Sequence, residues 1–402
     1  MDNIVALVLA GGKGERLYPL TKDRAKPAVP FGGIYRIIDF TLSNAINSNL
    51  RKIYVLVQYK SYSLQRHIRE GWNIFSRELG EFIDVVPAQM RIGGEWYLGT
   101  ADSVFQNIYF LNQDRPEHVL ILSGDHVYKM DYRLMMDAHR EKKADVTIAV
   151  LEAPLEDAKR FGVLKVDADM TVTDFQEKPL SPDPSPQNPS KALVSMGIYI
   201  FQTETLIKRL FLDAKNLDST HDFGKDLIPA MIGQKKVYAF PFTDANRKEM
   251  QYWRDIGTLD AYYEANMDLV NVDPILNLYD RNWPVRTYQE QLPPAKTVFA
   301  SEDRAGIPFD SILSHGCIIS GAKVTRSVLS PWVYLHSYAE VTDSILLNDV
   351  RVGRDVKIKR AIIDKGVSLP AGVRIGFDPA EDKKRFTITE SGIVVIPKEY
   401  IW

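Results

Sequence analysis

The sequence is poor in the features that mark secreted or membrane proteins. Its 402 residues include a single cysteine, Cys317, so an intrachain disulfide is excluded and a reducing compartment is favoured. The apolar run near the N-terminus is too short for a signal peptide of the usual kind. No stretch approaches the roughly 20 apolar residues that span a bilayer. We therefore expect a cytoplasmic protein that has no membrane partner.

Blocks of like charge are also scarce. The formal net charge is −2, from 50 lysine and arginine residues against 52 aspartate and glutamate residues, and no run of five like charges occurs. This balance argues against nucleic acid as a partner. The chain is too long to fold around one ordinary hydrophobic core, so its length predicts two or three domains.

From residue 4 to about 270, short apolar runs alternate with amphipathic stretches. Strands are predicted at 4–10, 53–58, 118–124, 145–151 and 195–201, and helices at 101–114 and 131–144. This alternation indicates an α/β fold, a Rossmann-like domain whose mostly parallel sheet is covered on both faces. Ligands of such sheets bind beyond the carboxyl ends of the strands, where we expect the first glycine cluster and Asp125.

A different period begins after the segment 282–301, which has neither strand nor helix periodicity. Aliphatic residues then recur every 17 positions, in columns such as Ile318, Leu335, Val352, Leu369 and Val324, Val341, Ile358, Ile375. The pattern resembles a left-handed parallel β-helix of the hexapeptide-repeat type, with an antiparallel meander as the alternative. The predicted units are a first domain at 1–281, a linker at 282–301 and the β-helix at 302–402.

The turn after the first strand, in LVLAGGKGERLYPLT, combines glycines, which have no side chain to cover the backbone, with positively charged residues. Its residues of interest are Gly11, Gly12, Lys13, Gly14 and Arg16, a set that suits an anionic ligand. A P-loop requires serine or threonine after its Gly-Lys pair, and a dinucleotide motif requires glycine where this chain has Leu17. Both motifs are excluded. Considered alone, the glycines could also form a flexible turn without a ligand.

The longer pattern, Gly-Gly-x-Gly-x-Arg-Leu-x-Pro-Leu-Thr with Lys26-Pro27 further on, resembles the signature of sugar-nucleotide pyrophosphorylases. The resemblance extends over almost the whole chain. Later segments look like the ADP-glucose pyrophosphorylase family, namely RAKPAVPFGGIYRIIDFTLSNAINS, WYLGTADSVFQN, SGDHVYKMDY, FQEKP, SMGIYIF and WRDIGTLDAYYEAN. A nucleotidyltransferase fold followed by a β-helix is also the domain order of that family.

The resemblance implies adenylyl transfer from ATP to α-D-glucose 1-phosphate, giving pyrophosphate and ADP-glucose for glycogen synthesis. Both substrates are polyanions, so an in-line displacement at the α-phosphorus depends on positioning them and on neutralising their charge. The implied cofactor is Mg²⁺. No general base is needed, because the attacking phosphate is already ionised. The implied catalytic residues are Arg16, Lys26 and Asp125, and the implied metal ligands are Asp125 and Asp255.

The resemblance also implies two sets of binding residues. Those for ATP are Leu9, Gly11, Gly12, Gly14, Gln58, Tyr97, Gly99, Thr100 and Asp102. Those for glucose 1-phosphate are Gly162, Glu177, Lys178, Ser195, Tyr199 and Asp255.

Simpler interpretations stay open for several of these residues. Tyr97 could pack in a strand, and Asp255 could cap a helix that begins near Thr258. Glu177 and Lys178 could form a plain surface ion pair. His126 is expected to be a hydrogen-bonded packing residue rather than a metal ligand.

Two positions depart from the family pattern. Leu98 replaces the arginine of the common WYRGTAD segment, and Asp23 stands where some activated members carry a lysine ahead of RAKP. Activation by a sugar phosphate is therefore left open, as is the ligand of the family's allosteric site between the two domains. For assembly we expect a homotetramer, with a paralogous regulatory subunit as a further partner to consider.

Three other functions compete with this one. A non-catalytic regulatory subunit is expected to lose Arg16 or the metal aspartates, all of which this chain retains. A pyrophosphorylase that uses another nucleotide shares the glycine turn but not the later segments. Hexapeptide coils often belong to acyltransferases, but here only His315 and His336 fall within the coils and no long loop interrupts them.

Overall fold

A computed structural model describes residues 1, 3–89, 96–186, 188–246, 248, 250–301 and 304–402. The strands up to residue 255 are β1 Ile4–Leu9, β2 Pro30–Phe31, β3 Tyr35–Arg36, β4 Lys52–Val57, β5 Phe82–Pro87, β6 His118–Ser123, β7 His126–Tyr128, β8 Val146–Pro154, β9 Gly162–Val166, β10 Val172–Glu177, β11 Lys191–Gln202, β12 Val237–Pro241 and β13 Trp253–Asp255. The helices are α1 Ile37–Asn47, α2 Tyr62–Gly71, α3 Thr100–Phe105, α4 Ile108–Asp114, α5 Tyr132–Glu141, α6 Leu155–Ala158, α7 Thr203–Asp213, α8 Leu259–Asp268 and α9 Pro379–Lys383.

In the described part of the first domain, nine strands form the central sheet, in the order β10-β9-β11-β6-β1-β4-β5, with β8 beside β11 and β12 beside β8. Parallel pairs join β1 to β4 and β6, β4 to β5, and β8 to β12. Strand β11 runs antiparallel to β6, β8 and β9, and β10 runs antiparallel to β9. Seven of the nine strands therefore point the same way, which confirms the predicted mostly parallel sheet.

Both faces of this sheet are buried, as near-continuous apolar strands require. Val5 and Leu7 of β1 pack into the core that includes α3, α4 and α7, whereas Ala6 and Val8 pack into the core that includes α1, α2 and α5. The sheet is therefore the middle of three layers.

The helix predicted at 101–114 is interrupted and forms the two helices α3 and α4. The break lies at Asn107. Its side-chain amide donates to the Ser103 carbonyl at 2.8 Å and to the Tyr97 hydroxyl at 2.9 Å. An asparagine that bonds the local backbone competes with helical hydrogen bonding. The single-helix prediction was therefore wrong at this point.

Strands β7 and β13 form a separate two-stranded ribbon at the edge of the first domain. They pair antiparallel, with Asp255 opposite His126 and Trp253 opposite Tyr128. Because Asp125 immediately precedes β7, this pairing places it beside Asp255 although 130 positions separate them in the sequence.

The rest of the chain is a three-sided parallel coil, and each side is one sheet. The first sheet contains Lys296–Val298, Ile318–Ser320, Tyr334–Leu335, Arg351–Val352 and Ser368–Leu369. The second contains Ile307–Phe309, Lys323–Thr325, Glu340–Thr342, Lys357–Lys359 and Arg374–Ile375. The third contains Ile312–Leu313, Val328–Leu329, Ile345–Leu346, Ala361–Ile363, Val394–Ile396 and, antiparallel to the last, Thr387–Ile388. A short hairpin joins Ala300–Ser301 to Arg304–Ala305.

Stacked aliphatic columns fill this coil, as their 17-residue spacing predicts. The parallel register aligns Val324 with Val341, Val341 with Ile358, and Ile358 with Ile375. The antiparallel meander is therefore excluded for these strands.

One column of the prediction begins at the wrong residue. Ile319, not Ile318, is aligned with Leu335, and Ile319 is the buried member of the two. This step of the coil is 16 residues long, so counting 17 residues back from Leu335 goes one residue too far.

The predicted linker is docked on the first domain. The Trp283 indole donates to the Asn44 side chain of α1 at 2.9 Å, and the Ser43 hydroxyl accepts from the Arg286 amide at 2.8 Å. Further along, the strand Lys296–Val298 already pairs with the coil. The division at 282–301 stays a prediction.

Apolar packing and the buried ion pair between Arg24 and Asp364 join the two domains. One core combines Phe31 and Tyr262 of the first domain with Ile345 and Ile362 of the coil. Among the described residues, the helices are too short or too polar to cross a bilayer.

Candidate active site

A cleft of about 290 Å³ lies beyond the carboxyl end of β6, next to the β7–β13 ribbon. This edge of the sheet is where ligands of α/β folds bind. Nine of the predicted site residues line it: Arg16, Lys26, Asp125, Gly162, Glu177, Lys178, Ser195, Tyr199 and Asp255. The structure thus brings together the implied catalytic residues and the whole glucose 1-phosphate set.

Lys26 lies at the centre of the charged groups. Its Nζ donates to Asp125 Oδ2 at 2.6 Å and to Asp255 Oδ1 at 3.0 Å, and the residue is only 8% exposed. Burial alone would lower the pKa of its ammonium group, but the two carboxylates outweigh burial and raise that pKa. The lysine therefore stays charged across the physiological range.

Asp125 is held in its ionised form by the same contacts. Burial would raise the pKa of its carboxyl group, but the Lys26 ammonium, His126 and the Ser123 hydroxyl, which donates to Asp125 Oδ1, together lower that pKa well below its usual range. The site therefore offers a permanent negative charge where the sequence analysis expects a metal ligand.

Asp125, His126 and Asp255 form a group that could hold a cation, because one ligand atom from each lies within 4.8 Å of the others. Two carboxylates suit a hard divalent cation, whereas an imidazole nitrogen suits softer metals better. His126 packs edge-on against Trp253, with 5.1 Å between ring centroids, and its Nε2 lies 3.5 Å from Asp125. The expected packing is therefore present, but the expected hydrogen bonding is not, because the buried Nδ1 has no hydrogen-bond partner among the described residues and Nε2 adjoins the carboxylates.

Asp255 ends β13 and is not a helix cap. The cap of α8 is Thr258, whose hydroxyl accepts from the Ala261 amide at 3.2 Å. The alternative helix-cap interpretation of Asp255 was therefore wrong. Next to it, the Arg16 guanidinium lies 3.5 Å from the position that a Cβ on Gly257 would occupy, so Arg16 reaches the same side of the cleft.

The glycine turn lies between Lys26 and Gln58. Gly14 has a φ of +66°, and a Cβ there would lie 3.1 Å from the Cβ of Lys26, so both conformation and space favour glycine. A Cβ on Gly11 would lie 3.3 Å from the Gln58 Cβ, whereas Gly12 has open space around it among the described atoms. The turn therefore presents accessible backbone beside the buried lysine.

The remaining residues of the predicted ATP set do not line the cleft but lie near the glycine turn. Leu9 ends β1, where its carbonyl accepts from the Gly124 amide at 3.0 Å. Gln58 immediately follows β4, and its Oε1 accepts from the Tyr97 backbone amide at 3.0 Å. Tyr97 lies outside any strand, and burial raises the pKa of its hydroxyl.

Three members of that set form contacts within the protein. Asp102 accepts from the Leu98 amide at 2.9 Å, and Thr100 donates to Asp222 at 2.8 Å. A Cβ on Gly99 would lie 2.2 Å from the His221 carbonyl oxygen, so backbone packing alone requires this glycine. Their roles toward ATP stay predictions.

At the other end of the cleft, Glu177 and Lys178 form the ion pair that the simpler interpretation expected, at 2.8 Å, yet both line the cavity. Ser195 and Tyr199 flank a register shift in β11, and their hydroxyls lie 3.4 Å apart. Such bulges redirect side chains next to sites. Gly162 is fixed by packing, because a Cβ there would lie 2.4 Å from the Phe175 ring.

The cleft also contains residues that the sequence analysis did not assign. They include Arg160, Phe161, Trp253 and Thr258. Phe161 packs against Trp253 at 5.1 Å between centroids, so aromatic rings form one side of the cavity. Trp253 and Thr258 lie in the quoted WRDIGTLDAYYEAN segment, whereas no motif pointed to Arg160.

Family profiles match both parts of the chain. The nucleotidyl transferase profile matches residues 5–272, and the GlmU-like C-terminal hexapeptide profile matches residues 293–396. The first match covers the sheet and cleft, so the chain is a nucleotidyltransferase. The second match supports the left-handed form of the β-helix.

Curated relatives are similar over nearly the full length. Proteins named glucose-1-phosphate adenylyltransferase are 57% identical in Rhodopirellula baltica, 54% in Koribacter versatilis and 53% in Methylococcus capsulatus. These alignments cover 99%, 100% and 98% of this chain and 90%, 96% and 92% of the respective relatives. The chain belongs to the glucose-1-phosphate adenylyltransferase family, which confirms the resemblance that its motifs indicated.

Proposed function

We propose that the chain transfers the adenylyl group of ATP to α-D-glucose 1-phosphate, with pyrophosphate and ADP-glucose as products, for glycogen synthesis. One observation carries the proposal: a buried, charged Lys26 between Asp125 and Asp255, in a cleft that also contains the implied sugar phosphate residues. The printed names of the relatives support it further.

On the nucleotide side, the backbone amides of Gly11, Gly12 and Gly14 would approach the phosphates of ATP. Arg16 would pair with the β- and γ-phosphates and so stabilise the charge that grows on the leaving pyrophosphate. Leu9, Gln58, Tyr97 and the segment 99–102 would hold the nucleoside.

On the sugar side, Lys178 would bind the phosphate of glucose 1-phosphate, while Glu177 and Ser195 would bind sugar hydroxyls. Gly162, Tyr199 and Asp255 complete this set.

The displacement needs no proton transfer. A phosphate oxygen of glucose 1-phosphate forms a bond to the α-phosphorus of ATP, and the bond from that phosphorus to the bridging oxygen breaks, releasing pyrophosphate. Lys26 holds phosphate oxygens near the reacting centre, which reduces repulsion between the two anions. Mg²⁺, held by Asp125 and Asp255, would add polarisation of the α-phosphate when bound.

Several broader properties belong to the same proposal. We propose Mg²⁺ as the cofactor, a cytoplasmic location and a homotetrameric assembly under allosteric control, with the activator left open. A role as a non-catalytic regulatory subunit is not favoured, because Arg16, Lys26, Asp125 and Asp255 are all present and adjoin one cleft.

The test is release of pyrophosphate with glucose 1-phosphate and Mg²⁺, measured in parallel with ATP, dTTP, UTP and GTP. We expect kcat/KM for ATP to exceed that for each other nucleotide by roughly 100-fold, because base recognition depends on matched hydrogen bonds. Equal or faster release with another nucleotide would contradict the adenylyl assignment. No release with any nucleotide would contradict catalysis itself.

A further inference from the structure

Among the described residues, four lysine and arginine side chains line the cleft, and they differ in whether a carboxylate already pairs with them. Lys26 contacts two carboxylates, and Lys178 lies 2.8 Å from Glu177. Arg16 and Arg160 also line the cleft, but neither guanidinium has an ion-pair or hydrogen-bond partner among the residues that the structure describes. The charges of Arg16 and Arg160 are therefore available to a ligand, and the proposed function assigns a ligand contact only to Arg16.

Arg160 lies at the end of the cleft where the sugar phosphate set is found. It follows α6 in a turn fixed by its own amide, which donates to the Asp157 carbonyl at 3.1 Å. The next residue, Phe161, accepts from the Lys178 amide at 3.0 Å, and Gly162 is paired with Glu177 in the sheet. The backbone thus places Arg160 and Lys178 on adjoining segments.

Charge balance explains what a second cation would do at this end. A sugar phosphate carries close to two negative charges, and Lys178 is partly neutralised by Glu177. A guanidinium presents a planar pair of donors that matches two phosphate oxygens, and it keeps its charge at any physiological pH. Such a group would reduce the repulsion between the sugar phosphate and the triphosphate.

We infer that Arg160 is a second phosphate-binding residue, which with Lys178 holds the phosphate of the sugar 1-phosphate substrate. This inference rests on the proposed function, because it names a residue for one of its two substrates. Arg160 is exposed and lines the cleft, so its guanidinium is free to turn toward a ligand there without a rearrangement of the core.

The test is the variant Arg160→Gln. We expect KM for glucose 1-phosphate to rise roughly tenfold, the usual loss for one charge-assisted contact, while KM for ATP and kcat change less than about twofold. Arg160→Lys should recover part of the loss, because the charge returns without the planar pair of donors.

The matched control is the neighbouring variant Lys159→Gln. Lys159 has the same charge, but its Nζ bonds Glu156 at 2.8 Å and it does not line the cleft. Its KM values should equal those of the unmodified chain. If Lys159→Gln raised KM as much as Arg160→Gln does, any positive charge on this surface would have the same effect, and the inference would be overturned.

Direct binding separates this inference from the proposed function. Calorimetric titration with glucose 1-phosphate, without nucleotide, should give a dissociation constant roughly tenfold weaker for Arg160→Gln than for the unmodified chain. Normal turnover with an unchanged KM for glucose 1-phosphate would overturn the role of Arg160 and leave the function intact. Binding that depends on Arg160 in a chain without turnover would support the residue and contradict the function. A chain that neither turns over nor binds glucose 1-phosphate would overturn both.

Discussion

Two cations that lie only two residues apart, Arg24 and Lys26, bind carboxylates in different domains. Arg24 donates to Asp364 of the coil at 2.6 Å, and both residues are almost fully buried. Lys26 donates to Asp125 and Asp255, whose side chains are 28% and 25% exposed to the cleft. The first pair is closed to solvent and joins two domains, whereas the second is open to a ligand. Similar ion pairs thus serve assembly in one place and chemistry in the other.

Asp125→Asn should give the largest effect, and it should affect activity far more than stability. The variant loses the permanent charge of the carboxylate, so we expect kcat to fall at least about 1,000-fold, as for other groups that stabilise charge in phosphoryl transfer. Lys26 keeps Asp255 as a partner, so the variant should stay folded, but the lost contact with the buried lysine should lower the free energy of unfolding by about 1–2 kcal/mol.

Steady-state kinetics and urea unfolding measure these two quantities for Asp125→Asn. The exposed Asp137 on α5 offers a control, since Asp137→Asn should change neither. Near-normal activity of Asp125→Asn with Mg²⁺ would remove the metal assignment.

Asp364→Asn should show the opposite behaviour. Arg24 would be left as a buried charge without its carboxylate partner, so the free energy of unfolding should fall by about 3 kcal/mol. Urea unfolding measures this loss. The control is Asp349→Asn, because that exposed coil aspartate lies 3.9 Å from Arg351 and should contribute less than about 0.5 kcal/mol. Equal stability of the two variants would contradict the contrast between closed and open pairs.

His139 is a buried titratable group, and the nearby Asp145 only partly offsets the effect of burial on its pKa. Burial, with repulsion from His118 and Arg140, lowers its pKa to about 3, against about 6.5 in an unfolded chain. Because the folded pKa is the lower one, the unfolded state binds the proton first as the pH falls. Stability is therefore complete above pH 6.5 and is lost progressively below it.

Between pH 6.5 and pH 5 this histidine should cost about 2 kcal/mol of unfolding free energy. Urea unfolding at several pH values measures the slope, which should be shallower in His139→Gln. His336→Gln, at an exposed coil position, should leave the slope unchanged. An identical slope in all three proteins would show that burial does not control this titration.

The coil was the easiest part to predict from the sequence, because every turn has the same surroundings. Identical environments select the same residue type at each 17th position, so Val324, Val341 and Ile358 reveal their alignment directly. The misplaced Ile318 shows the limit of this reasoning. A single 16-residue step leaves no local signal when two isoleucines are adjacent.

The site was predictable in its residues but not in its contacts. Motifs that resemble the family indicated Lys26, Asp125 and Asp255, and the structure places all three together. What joins the two aspartates is the pairing of β7 with β13, which depends on packing between distant segments. Arg24 begins a quoted motif, but its partner Asp364 lies 340 positions away and in no motif, so sequence reasoning could not find the pair.

The one cysteine has a practical consequence for spectroscopy. Cys317 is enclosed by the aliphatic columns of the coil, and burial raises the pKa of its thiol to about 11, so almost no thiolate forms at neutral pH. A dye or spin label attached through a cysteine engineered at the cleft rim would therefore report from that place alone. Substrate binding could be followed in this way without first removing the native thiol.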